Sequence, residues 1–275
     1  MPEDIPAFHT RASLRADLEA LGLLPGDMVM VHAAMGTMGP LLNGPDALIG
    51  ALLDVIGPQG TLLAYTSWDS RHDDLLDEDG RVLPEWRDHV PGFDAATARA
   101  VRMNGILSEF IRTTPGAHRS GNPGASMAAI GRLAEWITAD HPQDYGFGED
   151  TPLARLVEAR GRVLMAGAPW DTMTLVHHAD HLARMTGKRV LRYEVPFAED
   201  GATRWRFIEE YDTSEPVIEG MPELYIEQIV TAMVAAGGGR QGRIGDAPSL
   251  LVDAAPMLAF AIDWLEEWAQ RHKRG

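Results

Sequence analysis

The sequence predicts an α/β fold in which a mixed central β-sheet is flanked by helices, with a long acidic substrate loop. Short apolar runs typical of buried strands alternate with amphipathic stretches at helical spacing through the first hundred residues. A later pair of runs around an Asp-Gly turn adds a hairpin. The chain has 275 residues and is 45% hydrophobic, which suffices for a large core. We expect a single domain over residues 1–275 and allow for a minor subdomain at 69–93.

Helix and strand signals alternate in the first half of the chain. The predicted elements are a helix at 10–21 capped by Thr10, a strand at 28–31, a helix at 45–56, a strand at 61–65, a helix at 94–112 and a strand at 126–130. Between them, residues 68–91 are acidic and rich in turn signals. A loop of this length inside a domain is often functional.

The second half continues the alternation and ends in helices. The predicted elements are a helix at 152–158, a strand at 162–166, a helix at 172–185, hairpin strands at 190–197 and 203–210, and helices at 221–236 and 256–271. The helix at 221–236 is stopped by three consecutive glycines.

Composition excludes several classes of protein. Lys and Arg number 24 against 40 Asp and Glu, so the net charge is −16, which repels nucleic acid and anionic membranes and attracts polycations. Solubility alone is the other explanation for this charge. The absence of cysteine excludes disulfides, thiolate zinc sites and cysteine nucleophiles. Because we find neither a membrane-length apolar run nor a signal-peptide pattern, we expect a cytoplasmic protein without a membrane partner.

The most informative stretch follows the predicted strand at 162–166. Gly-Ala-Pro leads to Asp171, and His177, His178, Asp180 and His181 then fall within two helical turns. Proton-handling groups at the carboxyl end of a strand, near a helix N-terminus, indicate a catalytic site. His177 and His181 share one helical face, so they could be two ligands of a zinc ion, or one could be a general base held by a carboxylate. Ordinary hydrogen-bonded histidines are the third interpretation.

Three further groups could bind or orient a ligand. Glu210 and Asp212 point the same way at the end of a strand, where either could orient a histidine or meet a cation. Tyr65, Trp68 and the acids at 69–74 suit an ammonium group. A loop of mostly small residues would let the backbone approach a pyrophosphate closely; it contains His32, Ala33, Ala34, Met35, Gly36, Thr37 and Gly39. A later turn offers two further anion contacts, Arg119 and Ser120. This loop is neither a P-loop nor a dinucleotide fingerprint.

Taken in order, these motifs resemble the aminoglycoside 3-N-acetyltransferase family, antibiotic N-acetyltransferases with a fold unrelated to the GNAT superfamily. The resemblance runs from about residue 10 to residue 265, and its most specific part is a Gly…Asp-x-x-Thr-x-x-His pattern at Gly167, Asp171, Thr174 and His177. Further matches lie at 31–34, 118–123, 151–153, 210–212 and 242–245. The chain departs from many relatives at 33–34, where Ala-Ala replaces Ser-Ser and removes any hydroxyl contact to the coenzyme.

The resemblance implies acetyl transfer from acetyl-CoA to the 3-amino group of the 2-deoxystreptamine ring, without a metal, and hence antibiotic resistance. It implies His177 as the general base, oriented by Glu210 or Asp212, while His178 and His181 have ordinary structural roles. The loop at 32–39, with Arg119 and Ser120, would meet coenzyme A. The antibiotic would be surrounded by acids beside the aromatic pair, namely Asp171, Asp180, Asp212 and Glu223, with Tyr65 and Trp68. Monomer and homodimer both remain open.

Two other classes of function stay in consideration. A metal-dependent hydrolase would use His177, His181 and an acid, with zinc as the natural metal. A non-enzymatic acidic module would sequester a cationic drug without consuming acetyl-CoA.

Overall fold

A seven-stranded mixed sheet forms the centre of the computed structural model, which describes residues 7–213 and 216–272. The strands are β1 Met28–Ala33, β2 Thr61–Tyr65, β3 His118–Arg119, β4 Met127–Gly131, β5 Arg162–Ala166, β6 Val190–Glu199, β7 Ala202–Tyr211, β8 Arg240–Ile244 and β9 Ala247–Asp253. The sheet order is β3-β4-β2-β1-β5-β9-β8, and β6 and β7 form a separate hairpin. The predicted mixed α/β fold is therefore confirmed.

Parallel pairing is confined to the middle of the sheet. In β1, Met30 pairs with Leu63 of β2 on one side and Val163 of β5 on the other, both in parallel register. The remaining neighbours in the sheet are antiparallel. The carboxyl ends of β1, β2 and β5 consequently meet at one edge, the usual location of a ligand site in an open α/β sheet.

Helices cover both faces of the sheet. Their bounds are α1 Arg11–Leu21, α2 Pro45–Ile56, α3 Ile106–Thr113, α4 Ala134–Thr138, α5 Pro152–Glu158, α6 Leu175–Leu182, α7 Tyr225–Ala235 and α8 Ala254–Arg271. Side chains alternate across the central strands, so Val31 packs with α1, α2 and α3, whereas Met30 packs with α4 to α8. Within the described residues, no helix has both the length and the apolar character needed to cross a bilayer.

Local signals predicted most elements, and the exceptions have physical reasons. The predicted helix at 94–112 is wrong in its first half. Ala100 forms a β-bridge with Trp68, and Gly105 has a φ of 80°, which is not helical, immediately before α3 begins. The helix predicted at 172–185 is shorter, since Trp170–Thr172 is a separate 3-10 turn and α6 ends at Leu182. Strands β8 and β9 were not predicted, although β9 pairs with β5 in the sheet.

The acidic stretch at 68–91 forms turns and short 3-10 segments against the hairpin. Arg87 pairs with the buried carboxylate of Glu194 on β6, and Phe93 bridges to Phe197. These contacts hold the stretch beside the edge where the parallel strands end. The single domain over 1–275 and the minor subdomain at 69–93 stay predictions.

Candidate active site

His177 lies where the chain leaves the sheet and turns into α6. Gly167 follows β5 with a φ of 67°, and a Cβ there would lie 2.2 Å from Thr37 Oγ1, so only glycine suits this turn. A 3-10 turn at Trp170–Thr172 follows, and α6 begins at Leu175. His177 therefore lies in the first turn of α6, beside the carboxyl edge of the sheet.

Three cavities meet at His177. The first, of about 330 Å³, lies between the end of β1 and residues 103–105 and carries no carboxylate in its lining. The second, of about 560 Å³, is lined by Asp171, Glu219 and Glu223 together with Arg189. The third, of about 540 Å³, is lined by the acids Asp73, Glu210 and Asp212 with several aromatic side chains. One imidazole thus borders a neutral chamber and two acidic ones.

A buried carboxylate holds the His177 ring. The Nδ1 atom of His177 lies 3.3 Å from Oδ2 of Asp180, which stands one helical turn further along α6. Asp180 is 0% exposed, and the hydroxyl of Tyr225 donates to the same Oδ2 at 2.5 Å. The ring also packs against Phe147, with centroids 5.3 Å apart. Because Nδ1 faces Asp180, Nε2 is the nitrogen left for a substrate.

The carboxylate beside His177 differs from the two that the sequence predicted. Glu210 instead binds His181 Nε2 at 2.6 Å and accepts from the Gly146 backbone N–H at 2.6 Å. Asp212 forms an ion pair with Arg189 at 3.1 Å. Glu210 and Asp212 do line a cavity with His177, but the ring donates its hydrogen bond to the carboxylate of Asp180.

Asp180 lies in a different place from the one expected of it. The sequence placed it among the antibiotic contacts, whereas its side chain is fully buried and accepts from Tyr225 and His177. Asp180 accordingly lines none of the three cavities.

The coenzyme residues expected on the loop at 32–39 divide into two groups. His32, Ala33 and Ala34 line the first cavity, and His32 Nε2 is a buried nitrogen without a hydrogen-bond partner in the described chain. Burial and the nearby His177 lower the pKa of His32 to about 4, so its ring is neutral near pH 7. The loop then continues through a 3-10 turn beyond the lining of the cavity, with Met35, Gly36, Thr37 and Gly39 partly or fully exposed.

Arg119 and Ser120 are committed to the fold and do not face this cavity. The Arg119 guanidinium donates to the Thr66 carbonyl at 2.6 Å and to Ser126 Oγ at 3.1 Å, and its burial lowers its pKa to about 10. Ser120 is buried, and its Oγ accepts from the Met127 N–H at 2.9 Å. Both were expected as anion contacts, but the short β3–β4 pairing turns them inward.

The expected substrate residues, apart from Asp180, do line the cavities. Tyr65 borders both the first and third cavities and donates to the Gly124 carbonyl at 2.8 Å, and burial raises its pKa to about 12. Trp68 lines the third cavity and packs on Phe93 at 5.5 Å. Asp171 and Glu223 line the second cavity, and Asp171 Oδ1 is buried without a hydrogen-bond partner among the described residues.

Sequence reasoning missed several cavity residues. Asp73 lies in the acidic run at 69–74, where no local signal separates it from its neighbours, yet it lines the third cavity. Tyr225 and Glu219 carry no local signal that separates them from ordinary helix and loop residues. Their positions depend on the packing of α7 against the 3-10 turn at Trp170–Thr172.

The other two histidines of α6 are hydrogen-bonded to neighbouring groups. His178 pairs through Nδ1 with the Phe147 carbonyl at 2.7 Å, while His181 engages Glu210 and the His177 carbonyl. Over residues 7–213 and 216–272, no group of three or more His, Cys, Asp or Glu side chains is arranged to hold a metal ion. The shared face of His177 and His181 is thus not part of such a group.

A histidine–carboxylate pair between neutral and acidic cavities, at the carboxyl edge of the sheet, is the kind of ligand site that α/β enzymes present. The chain belongs to the aminoglycoside 3-N-acetyltransferase family, whose sequence profile matches residues 30–266. It is accordingly an acyltransferase, as the resemblance implied.

Relatives match over nearly the whole chain. Aminoglycoside N(3)-acetyltransferase III of Pseudomonas aeruginosa is 44% identical over 263 residues, with 96% of each chain covered. Aminoglycoside N(3)-acetyltransferase IX of Micromonospora chalcea is 42% identical, with 95% of each chain covered.

Solved structures agree with this assignment. AAC-IIIb in a binary complex with CoASH superposes with a TM-score of 0.94 at 60% identity, covering 96% of this chain and 98% of that one. AAC-VIa bound to sisomicin gives a TM-score of 0.90 at 36% identity, covering 98% of this chain and 100% of that one.

Proposed function

We propose that this protein transfers the acetyl group of acetyl-CoA to the 3-amino group of the 2-deoxystreptamine ring of an aminoglycoside, and so confers resistance. The position of His177 at the junction of one neutral and two acidic cavities carries this proposal. The names of the relatives and the CoASH and sisomicin complexes of similar proteins support the two substrates.

The acidic cavities suit the antibiotic. Aminoglycosides are polycations, and Asp171 and Glu223 in the second cavity and Asp73 and Asp212 in the third give both chambers negative potential. The first cavity suits acetyl-CoA, because its lining holds backbone of small residues and a neutral His32. Arg119 and Ser120 have no part in this assignment, since their polar atoms are satisfied inside the fold.

His177 acts as the general base in this proposal. Its Nε2 takes a proton from the 3-amino group, while Asp180 holds Nδ1 and stabilises the imidazolium. The nitrogen then attacks the thioester carbonyl, so a C–N bond forms and the C–S bond breaks. The departing thiolate of coenzyme A takes that proton from the His177 imidazolium and leaves as the thiol, which regenerates the neutral base. Alignment of both substrates replaces an enzyme nucleophile, which agrees with a chain that has no cysteine.

Replacement of His177 by alanine tests the proposal. We expect turnover to fall by about 10²–10⁴, the usual contribution of a general base. The measurement is thiol release from acetyl-CoA with a panel of aminoglycosides, with NMR to identify the acetylated nitrogen. His118→Ala serves as the control, because His118 is an exposed residue of β3. Near-normal turnover of His177→Ala, or acetylation at another amine, would contradict the proposal.

Cytoplasmic location and a monomeric or homodimeric state stay predictions, as does the assignment of residues 68–91 as a substrate loop.

A further inference from the structure

We propose that Tyr225 is a positioning residue of the reaction: its hydroxyl fixes the Asp180 carboxylate, and the carboxylate in turn fixes the His177 ring. This inference rests on the proposed function, in which His177 is the base. Tyr225 belongs to α7, far along the chain from α6, and no sequence motif points to it.

The geometry gives one carboxylate oxygen two donors. The Tyr225 hydroxyl lies 2.5 Å from Asp180 Oδ2, and His177 Nδ1 lies 3.3 Å from the same atom. The second oxygen, Oδ1, is buried and has no hydrogen-bond partner in the described parts of the chain. The carboxylate therefore has one bonded side, and the tyrosine hydroxyl is its shorter contact.

Burial makes the Tyr225–Asp180 hydrogen bond difficult to replace. Tyr225 is 3% exposed and Asp180 is 0% exposed, so bulk water does not replace a lost hydroxyl. Burial first, and then the adjacent Asp180, raise the pKa of Tyr225 far above its usual range. The phenol thus stays protonated at every working pH and is a permanent donor. Its hydrogen bond prevents the carboxylate from rotating and offering His177 its other oxygen.

Other charged groups surround the pair and set the background for its titration. The carboxylates that line cavities together with His177 are Asp73, Asp171, Glu210, Asp212, Glu219 and Glu223. The basic groups near the pair are His32 on β1, which interacts with His177, and Lys188, which interacts with Asp180, while Arg189 lines the second cavity. Variants at position 225 leave all of these unchanged, so a shift in pH dependence reports on the Tyr225–Asp180 contact.

Tyr225→Phe removes the hydroxyl and keeps the ring. Tyr225 lines the second cavity, but its hydroxyl bonds the buried Asp180 and Tyr225→Phe keeps the ring in place. We therefore expect kcat to fall about tenfold and KM for the antibiotic to stay within about twofold. With its charge no longer shared with the phenol, Asp180 favours the imidazolium form of His177 more strongly. The acid limb of the pH–rate profile should therefore move to higher pH, which a merely structural role for Tyr225 would not cause.

Tyr145→Phe is the matched control, because the Tyr145 hydroxyl also bonds a carboxylate, that of Glu209 at 3.2 Å, outside the three cavities. It should leave kcat and the pH profile unchanged. A double-mutant cycle with Asp180→Asn then tests the route. If Tyr225 acts through Asp180, adding Tyr225→Phe to Asp180→Asn should lower kcat no further, whereas multiplying effects would overturn the proposal.

Site-specific 3-fluorotyrosine at position 225 provides a test if Tyr225→Phe does not fold. Its hydroxyl is a stronger donor and takes up more of the carboxylate charge, so the acid limb should move to lower pH. An unmoved limb in that protein, or in folded Tyr225→Phe, overturns the proposal. Failure of the proposed function is distinguishable, because it would appear as normal turnover in His177→Ala. An inactive His177→Ala with an unaffected Tyr225→Phe would reject only the role of Tyr225.

Discussion

Three histidines of one helix show how neighbours decide the role of a side chain. His177, His178 and His181 lie within five residues, and spacing alone predicts that the first and last share a face. The His181 ring, however, binds Glu210 of β7, and His178 binds the carbonyl of Phe147. Only His177 borders the three cavities, so the tertiary contacts separate the candidate base from its neighbours.

Gly167 lies where the turn after β5 approaches the loop at 32–39. In Gly167→Ala, the added Cβ would lie 2.2 Å from Thr37 Oγ1 and 2.7 Å from Ala247 Cβ, in a backbone with a φ of 67°. We expect the free energy of unfolding to fall by about 1–3 kcal/mol, because a strained backbone is costly. Urea denaturation measures the change.

Gly36→Ala is the control for this substitution, since a Cβ there meets no atom within 4 Å. Its effect should stay within about 0.5 kcal/mol. If Gly167→Ala were as stable as the unaltered protein, the tight turn after β5 would not be a constraint.

Elements with strong local signals formed where the sequence predicts them. Thr10 caps α1 with a capping box, and α2 begins at Pro45 and ends before Gly57. The helix predicted at 94–112 failed because a long-range bridge between Ala100 and Trp68 competes with local helix formation. Such a contact pairs residues distant in sequence and leaves no periodic pattern to read.

A buried histidine fixes the segment between α4 and α5. His141 bonds Ser120 Oγ at 2.8 Å and the Gly146 carbonyl at 2.7 Å, and burial lowers its pKa to about 4. The unfolded chain, with an ordinary histidine pKa of about 6.5, binds more protons than the folded one between these values. Stability linked to His141 is therefore lost as pH falls through this window.

His141→Gln removes this titration. Between pH 7 and pH 5.5, we expect its free energy of unfolding to decrease by about 1 kcal/mol less than that of the unaltered protein. Chemical denaturation at both pH values gives the change in the free energy of unfolding for each protein. His32 also has a lowered pKa, but it contributes equally to both proteins. Equal changes in the free energy of unfolding would mean that His141 is not held neutral in the folded state.

On the scale of the whole molecule, the net charge is −16, and part of the negative charge is concentrated at the cavities. Six carboxylates line the two acidic cavities that border His177: Asp73, Asp171, Glu210, Asp212, Glu219 and Glu223. Long-range attraction of a polycation and local contacts thus act in the same direction. The field opposes the approach of anionic coenzyme A, so the two substrates should respond oppositely to salt.

Salt titration tests this charge distribution. Raising salt from about 0.05 M to about 0.5 M shortens the screening length severalfold. We expect KM for the aminoglycoside to rise several-fold and KM for acetyl-CoA to stay level or fall. Steady-state kinetics with each substrate varied in turn provide the measurement. An antibiotic KM that is independent of salt would show that net charge does not assist binding.

The sequence by itself determined the fold class, most elements of the first half, the family and the position of His177. These follow from local periodicity, capping residues and an ordered set of short motifs, each of which spans only a few residues. Its expectation of a net attraction for polycations also depends only on composition.

Only the tertiary structure decided which carboxylate accepts the hydrogen bond of His177. Glu210 and Asp212 end the correct strand, but their hydrogen-bonding capacity goes to His181 and Arg189, while Asp180 turns inward to meet Tyr225. The same holds for Arg119, whose guanidinium is used up on backbone carbonyls. A buried polar group forms its hydrogen bond with the partner that packing brings within about 3 Å. That partner can lie far away in the sequence, so no local pattern predicts it.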